Sequence, residues 1–590
     1  MSHRRIVTSF MVSVVTAALV STSLAASAGA AVQRPEGAGK PPSGSGIGTA
    51  AAMNRADCRT NGDVNAPYGY LDAALQGQGP VCVKPWKDGD DNGGATSSGV
   101  TGDAVTLVAV VPSESQATAT GATQRATKAK GKYQDAFHDL LLPMMRYYET
   151  WGRDIDLRFV ESSGVDEAAQ RADLVRIKEM KPFAVMDVVP AGLDVLDAEL
   201  ANAKILTFGY ATSAAEAIAQ APYRWGHSDT QANAINAAEV IGKHLAKKKA
   251  AFAGDDVASQ TRKFGAVYIE DGIDLDGFES ALEKYGGTLS TDASYTATGS
   301  TLGDPTTAQE QAPVIVQRMK DAGITTVVLF TDVAMANALM LNANQQEWFP
   351  EWFFTGTLFA DLPLLARQYA PEQMAHAFGN ATVSPWVIPN PNPTEAETYL
   401  TDLDGPLNWY WGKDVGTSSQ GATQGLPWVM RGIHAAGPNL TPKTFQQGLF
   451  ALAPRYGAAF GYPIGAMMAY GETAGLPYDE YLTTGADFSA FWWDPDLEGP
   501  GAGTGTEGKG NPWYVNGAKR FRAGQVPTKA FAYFDEKGAV SSFETRPVPT
   551  PALGLACTDC PSQGGTGTPG TPSPDGFVAE YVGTSDGTSN

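Results

Sequence analysis

The sequence predicts an α/β protein built as two doubly wound parallel-sheet domains joined by hinge crossovers. Three observations lead there. The chain has 590 residues, more than one hydrophobic core of ordinary size organises. Short β-branched runs alternate with amphipathic segments of helix length, the pattern of parallel strands linked by right-handed crossovers. The alternation breaks in a polar stretch near residues 246–263 and then resumes, which gives two blocks of similar design.

The first block opens at residues 105–111 (V-T-L-V-A-V-V), a run suited to a strand buried on both faces. Tyr133, Phe137, Leu140, Leu141, Met144, Met145 and Tyr148 then recur at three- and four-residue steps, a helical stripe read as core packing. Residues 156–160 read as strand and 166–179 as helix, with Ala169, Ala172, Leu174 and Val175 as its buried positions. Strand 183–189, helix 193–202, strand 205–208 and helix 229–248 follow. The second block gives strand 265–269, helices 275–285 and 309–321, strand 326–330, helix 333–343 and strand 352–355. Residues 380–550 are richer in aromatics, Pro and Gly, with helices near 423–436 and 442–452. This part is expected to cross back and complete both sheets. One lobe then comprises residues 103–248 plus about 377–452, the other 249–376 plus about 453–550.

The two ends read differently. Arg4 and Arg5 precede an apolar stretch over 6–24 that closes on Ala28-Gly29-Ala30, the pattern of a cleaved signal peptide over residues 1–30. An uncleaved membrane anchor is the alternative. No later apolar run reaches about 18 residues, so no transmembrane segment is expected in the mature chain. No Cys follows the signal, so free secretion is expected rather than lipid anchoring. Residues 31–102 read as a low-complexity leader stapled by cysteine, and 551–590 as a Cys pair with a disordered tail rich in Gly, Thr, Ser and Pro. Cys58 lies near Cys82, and Cys557 near Cys560. In an exported chain, two local disulfides are expected, with a tetrathiolate zinc site as the alternative. Residues 88–94 (D-G-D-D-N-G-G) resemble the start of a calcium loop but place Gly99 where the twelfth-position Glu belongs. A solvated linker is expected there, with calcium as the alternative.

Charge narrows the partners. The chain carries 42 Lys plus Arg against 63 Asp plus Glu, a net charge of −21. Such a surface repels phosphate backbones, so nucleic acid is excluded as a partner. Catalytic signatures are absent too: there is no H-E-x-x-H, no P-loop and no G-x-G-x-x-G after the first strand. The G-x-S-x-G string at 583–587 sits in the tail rather than at a strand-to-helix elbow. The six His are scattered, and only His227 neighbours a candidate loop. No catalytic residue, cofactor or metal is therefore expected.

Open parallel sheets bind ligands outside the carboxyl ends of their strands. The loops there carry Ser113 and Glu114, Pro190 and Ala191, and Tyr210, Ala211 and Thr212 in the first block, with Trp225 further on. In the second block they carry Glu270 and Asp271, then Asp332. Hydroxyls and N–H groups at helix starts suit a carboxylate. The acidic loops suit an ammonium or a hydroxyl-rich group. Each residue also has a purely structural use. N-capping alone accounts for a residue such as Ser113, Ser213 or Asp332, and interface packing for Tyr210 or Trp225.

Several segments taken in order resemble the type I periplasmic binding proteins, in particular the branched-chain amino-acid importer class. Residues 105–115 are similar to that family's opening strand and loop, and 204–212 (K-I-L-T-F-G-Y-A-T) to its fourth strand and ligand loop. Tyr223-Arg224-Trp225 before a long helix, 267–271 (V-Y-I-E-D) and 421–442 resemble later landmarks. The likeness spans about 103–455. It implies a hinged receptor that takes a small polar solute, such as an amino acid or amide, and hands it to an ABC permease. It also implies that the Tyr210 backbone, Ala211 and Thr212 hold an anionic group, with Glu270 or Asp271 facing it. The chain departs from the pattern at 189–191 (V-P-A), which lacks the usual hydroxyl, in an elongated first loop over 117–130, and in a Trp- and Gly-rich addition after 480. Two other functions compete: a secreted sensor or binding module without a permease, and a secreted hydrolase using carboxylates such as Glu114, Glu270 and Asp332.

Overall fold

The computed structural model describes residues 41–47, 49, 52, 81–113, 148–189, 192–209, 212–226, 230–270, 272–297, 303–356, 363–382, 385–387, 419–452, 455–456, 467–468, 470–471, 481, 487–500, 507–543 and 581–582, with Phe137, Leu140, Leu141, Met144 and Met145 of one helix. Two parallel-dominant sheets, each flanked by helices, make the fold α/β and doubly wound.

The first sheet has β1 (Ala104–Val111), β2 (Asp154–Glu161), β3 (Ala184–Asp187), β4 (Leu206–Gly209) and β5 (Arg224–Gly226), in the order β2-β1-β3-β4-β5. All of these pairings are parallel. Its helices are α1 (Glu167–Met180), α2 (Asp194–Asn202) and α3 (Ala214–Ala219). β1 is buried on both faces as its composition requires. Leu107 and Ala109 pack in one core with Phe137, Leu140, Met144 and Met145, while Val108 and Val110 pack in the other with Leu196 and Leu200.

α4 (Thr230–Val240) leads by a π-helical turn (Ile241–Leu245) to the second sheet. That sheet has β6 (Phe264–Ile269), β7 (Leu289–Tyr295), β8 (Thr326–Phe330), β9 (Glu351–Phe354) and β10 (Ala377–Ala381), in the order β7-β6-β8-β9-β10. Antiparallel β11 (Asp487–Pro500) joins β10, and β12 (Glu507–Tyr514) and β13 (Arg520–Arg522) both pair with β11. Helices α5 (Leu275–Lys284), α6 (Pro305–Asp321) and α7 (Val333–Gln345) cover the parallel part. Numbered within its own block, each parallel sheet has the strand order 2-1-3-4-5.

The late helices α8 (Ser419–Ala436) and α9 (Pro442–Phe450) return to the first core. Gly432 lets them touch: a Cβ there would lie 2.0 Å from the Phe445 ring. The chain thus passes between the two cores from β5 to α4, from β10 to α8, and again from Tyr481 to β11.

Several expectations are corrected. Ala377–Ala381, expected with the first lobe, pairs with β9. The helix expected to end the first lobe packs instead in the second, where Ala234, Ala237, Ala238 and Ile241 share a core with Phe264, Phe278 and Leu282. The buried face of α1 is Gln170, Asp173 and Ile177, while Val175 is exposed. Polar residues occupy that face because their atoms are bonded. Gln170 donates to Val165 O and accepts from Leu196 N, and Asp173 accepts from the backbone and hydroxyl of Ser163.

The end of the leader is also built in. Val81, Val83 and Val100 join the first core. The acidic turn at 88–94 is locked by buried Arg153, whose guanidinium donates to the carbonyls of Asn92, Gly94, Thr101 and Pro438. Cys82 is disulfide-bonded; Cys58, Cys557 and Cys560 lie outside the described residues. In the tail expected to be disordered, Tyr581–Val582 pairs with Ile155–Asp156 of β2. Among the described residues, no helix is long and apolar enough to cross a membrane, and no group of three or more His, Cys, Asp and Glu could hold a metal ion.

Candidate functional site

In a 2-1-3-4-5 sheet the chain leaves strand one to one side and strand three to the other. The diverging loops open a crevice outside the carboxyl ends of those strands. The first sheet has this switch point between β1 and β3, the second between β6 and β8.

Beneath the first crevice lies a buried ionic layer between the sheet and α2. Strand alternation turns Asp187, Thr207 and Arg224 to the same face. Asp187 accepts from Val189 N at 2.9 Å. Asp197 of α2 accepts from the Thr207 hydroxyl at 2.5 Å. The second carboxylate oxygen of each aspartate has no hydrogen-bond partner among the described residues. Gly209 makes room for this layer, since a Cβ there would lie 1.9 Å from Asp197 Oδ2. Arg224 donates to Thr212 Oγ1 at 3.3 Å and pairs with Glu216 at 3.3 Å and Asp194 at 3.6 Å. It therefore ties the end of β4 to β5.

Burial first, then the neighbouring Asp197 charge, holds the Asp187 carboxyl well above the usual carboxylate range. Burial pushes Asp197 up to about 7, against the opposing pull of the Thr207 hydroxyl and Arg224, while Asp194 and Glu216 add to the rise. A carboxyl with a raised folded value binds its proton more tightly folded than unfolded. Its stabilisation is complete below the unfolded value near about 3.9 and is lost as pH rises to about 7. Asp197→Asn keeps the Thr207 acceptor without the charge. The variant is expected to be more stable than the parent at about pH 8 and similar to it at about pH 4. Urea midpoints across that range check this, and parallel curves would contradict it.

The second crevice is assembled by capping. Asp332 accepts from Met335 N at 2.8 Å as the N-cap of α7, and accepts from the Tyr295 hydroxyl at 2.9 Å. Burial raises the pKa of both groups. Glu270 is exposed and accepts from Thr296 Oγ1 at 3.2 Å. Thr355, just past β9, donates to Leu329 O at 2.6 Å. Asn233 and Asn236 of α4 and Asn380 of β10 are nearly fully buried, with amide atoms lacking any hydrogen-bond partner among the described residues. No motif surrounds them. The signal available was an asparagine in the buried strand F-G-N-A.

Ser113 is half-buried at the end of β1, and Glu270 lies at the end of β6. Thr212 is buried with its hydroxyl engaged by Arg224. Asp332 is buried, capped onto α7 and bonded to Tyr295. Trp225 is fully enclosed: its indole donates to Pro222 O and its ring stacks on Phe208, so it presents no face to a ligand. Glu114, Pro190, Ala191, Tyr210, Ala211, Asp271 and His227 lie outside the described residues. A surface cavity of about 370 Å³, lined in part by Lys247, Arg262, Phe264 and Ser290, lies at the amino end of β6, away from both crevices.

No protein-family model matches the chain, and no curated protein sequence matches it. Solved structures do resemble it. A solute-binding protein of an ABC transporter from Rhodopseudomonas palustris BisB5, in complex with 3,4-dihydroxybenzoic acid, is 12% identical with a TM-score of 0.42 over 71% of this chain and 97% of that one. The leucine-, isoleucine-, valine-, threonine- and alanine-binding protein from Brucella ovis, in a closed conformation, is 10% identical with a TM-score of 0.43 over 73% and 99%. A fatty acid ABC transporter substrate-binding protein from Thermomonospora curvata is 15% identical with a TM-score of 0.42 over 70% and 93%. Two of these three similar structures are named as solute- or substrate-binding proteins of ABC transporters.

Proposed function

We propose that the chain is an exported solute-binding protein that closes two lobes on a small polar ligand and presents it to an ABC importer. One observation carries the reading. Two separate sheets share one strand order, so the same chain makes two switch-point crevices with polar residues at both. A ligand bridging two such crevices stabilises the closed arrangement by its higher affinity for it. Closure excludes water and strengthens each polar contact. The ligand class consistent with hydroxyl and carboxylate loops is an amino acid, an amide or a related organic solute. Export would follow from the signal-like segment at residues 1–30.

The test is a thermal-shift panel of amino acids, short peptides, amides, aromatic acids and sugars on the full mature chain. A ligand that binds only the folded protein raises its melting temperature by mass action. At least one class is expected to do so, with saturable binding in calorimetry and a smaller radius of gyration by X-ray scattering. No response from any class, or chemical turnover of the ligand, would overturn the reading.

A further inference from the structure

We infer that the second lobe grips the neutral hydrogen-bonding end of the ligand, an amide or hydroxyl group, through the buried asparagines Asn236 and Asn380 with Asn233 beside them. The inference rests on the solute-binding reading and adds the ligand chemistry at one wall.

Position comes first. The N-terminus of α4 is fixed at the carboxyl end of the second sheet. Thr230 donates to Gly272 O, and Gln231 donates to Asp274 O, both in the loop that follows β6. Asn233 and Asn236 lie in the next turn, one helical step apart on the same side. Asn380 lies near the carboxyl end of β10, the strand against which α4 packs. It alternates with Ala377 and Ala381 and shares the face of Phe378, which is packed in the α4 core. Across the antiparallel ladder its partner is Ala490, whose methyl side chain has no polar atom to offer. The three asparagines thus lie on the α4 side of the sheet, toward its carboxyl end.

Chemistry comes second. Asn380 and Asn236 each leave both the carbonyl oxygen and the amide nitrogen without a partner among the described residues, and Asn233 leaves its carbonyl oxygen. A buried polar group without a partner is costly, because it has given up its hydrogen bonds to water for nothing in return. Protein folds retain such groups where something else satisfies them. An amide both donates and accepts, so the complementary group must do the same, as a primary amide or a hydroxyl does and an ammonium does not. The charge on the same helix is already engaged: Glu239 pairs with Lys243 and accepts from Gly524 N. The asparagines therefore offer neutral recognition, unlike the acidic loops.

The test uses Asn236→Ala and Asn380→Ala in the full mature chain, with asparagine, glutamine, benzamide and their carboxylate counterparts as probes. If the amides wait for a ligand, each ligand-free variant melts at or above the parent temperature, because an unpaired group has been removed. Affinity for the amide probes falls at least tenfold while affinity for a carboxylate probe changes less. Ligand-free variants melting several degrees lower would show that internal water already satisfies the amides and would overturn the inference. So would unchanged affinity for an amide probe that binds the parent. If no amide or hydroxyl-bearing solute binds the parent while another class of the panel does, the inference fails and the solute-binding reading stands; if no class binds, that reading fails on its own account, and the ligand-free melting temperatures still decide whether the asparagines are structurally satisfied.

Discussion

Glu351→Ala is expected to destabilise the second lobe by about 3–5 kcal/mol, because it strands a buried guanidinium. Glu351 opens β9 and is fully buried. Arg262 reaches it with two hydrogen bonds, Nε to Oε2 and Nη2 to Oε1, both 2.7 Å. The carboxylate also accepts from Thr326 Oγ1 at 2.6 Å and from Phe252 N at 3.1 Å. These bonds join the amino ends of β8 and β9 to the segment entering β6. The Arg262 guanidinium also lies 5.3 Å from the centre of the Phe252 ring. Removing the acid leaves the largely buried arginine without its counter-charge, and the variant is expected to unfold at much lower urea. Arg262→Met with Glu351→Leu, which removes both charges and fills the space, is expected to recover most of the loss. A single Glu351→Ala variant with the parent's urea midpoint would contradict this account.

Trp225→Ala is expected to have an effect of similar size, about 3–5 kcal/mol, in the first lobe. The indole stacks on Phe208 at 5.9 Å and meets Tyr481 edge-on at 4.9 Å, with Phe445, Phe450 and Tyr470 at the remaining faces. Truncation would empty the centre of that cluster. Trp225→Phe keeps an aromatic ring there and is expected to lose less than half as much. If Trp225 instead stacked on a ligand, Trp225→Phe would shift affinity more than melting temperature. Calorimetric unfolding and ligand titration of the two variants separate these outcomes.

Trp225 also shows where sequence reading ends. Its neighbours Tyr470 and Tyr481 lie more than 200 residues further along the chain, so no local pattern distinguishes a packed ring from a stacking platform. β1 was legible because a strand buried on both faces is written as an unbroken apolar run. β7 was not, because Leu289–Tyr295 (L-S-T-D-A-S-Y) is an edge strand whose mixed burial leaves polar residues exposed. β11 was hidden by Pro495, Gly499 and Pro500 inside one long strand that bends at an irregular register between Asp494 and Glu498. For the site, the strand ends were readable but the use of each side chain was not. Thr212 and Asp332 carry their bonds to Arg224 and Tyr295, and Asn233, Asn236 and Asn380 come to one side of the sheet only when α4 meets β10.

The return of α8 and α9 to the first sheet also bears on how the molecule assembles. Trp151 donates to Ile433 O, and Glu149 N donates to His434 Nδ1, joining parts of the polypeptide separated by more than 280 positions. Such distant partners must find each other through a large loss of chain freedom, which slows folding. The half made first cannot seal its own interior and must wait for the half made last. Neither half is a removable module: a cut between α7 and α8 would leave two pieces that hold each other's hydrophobic surface.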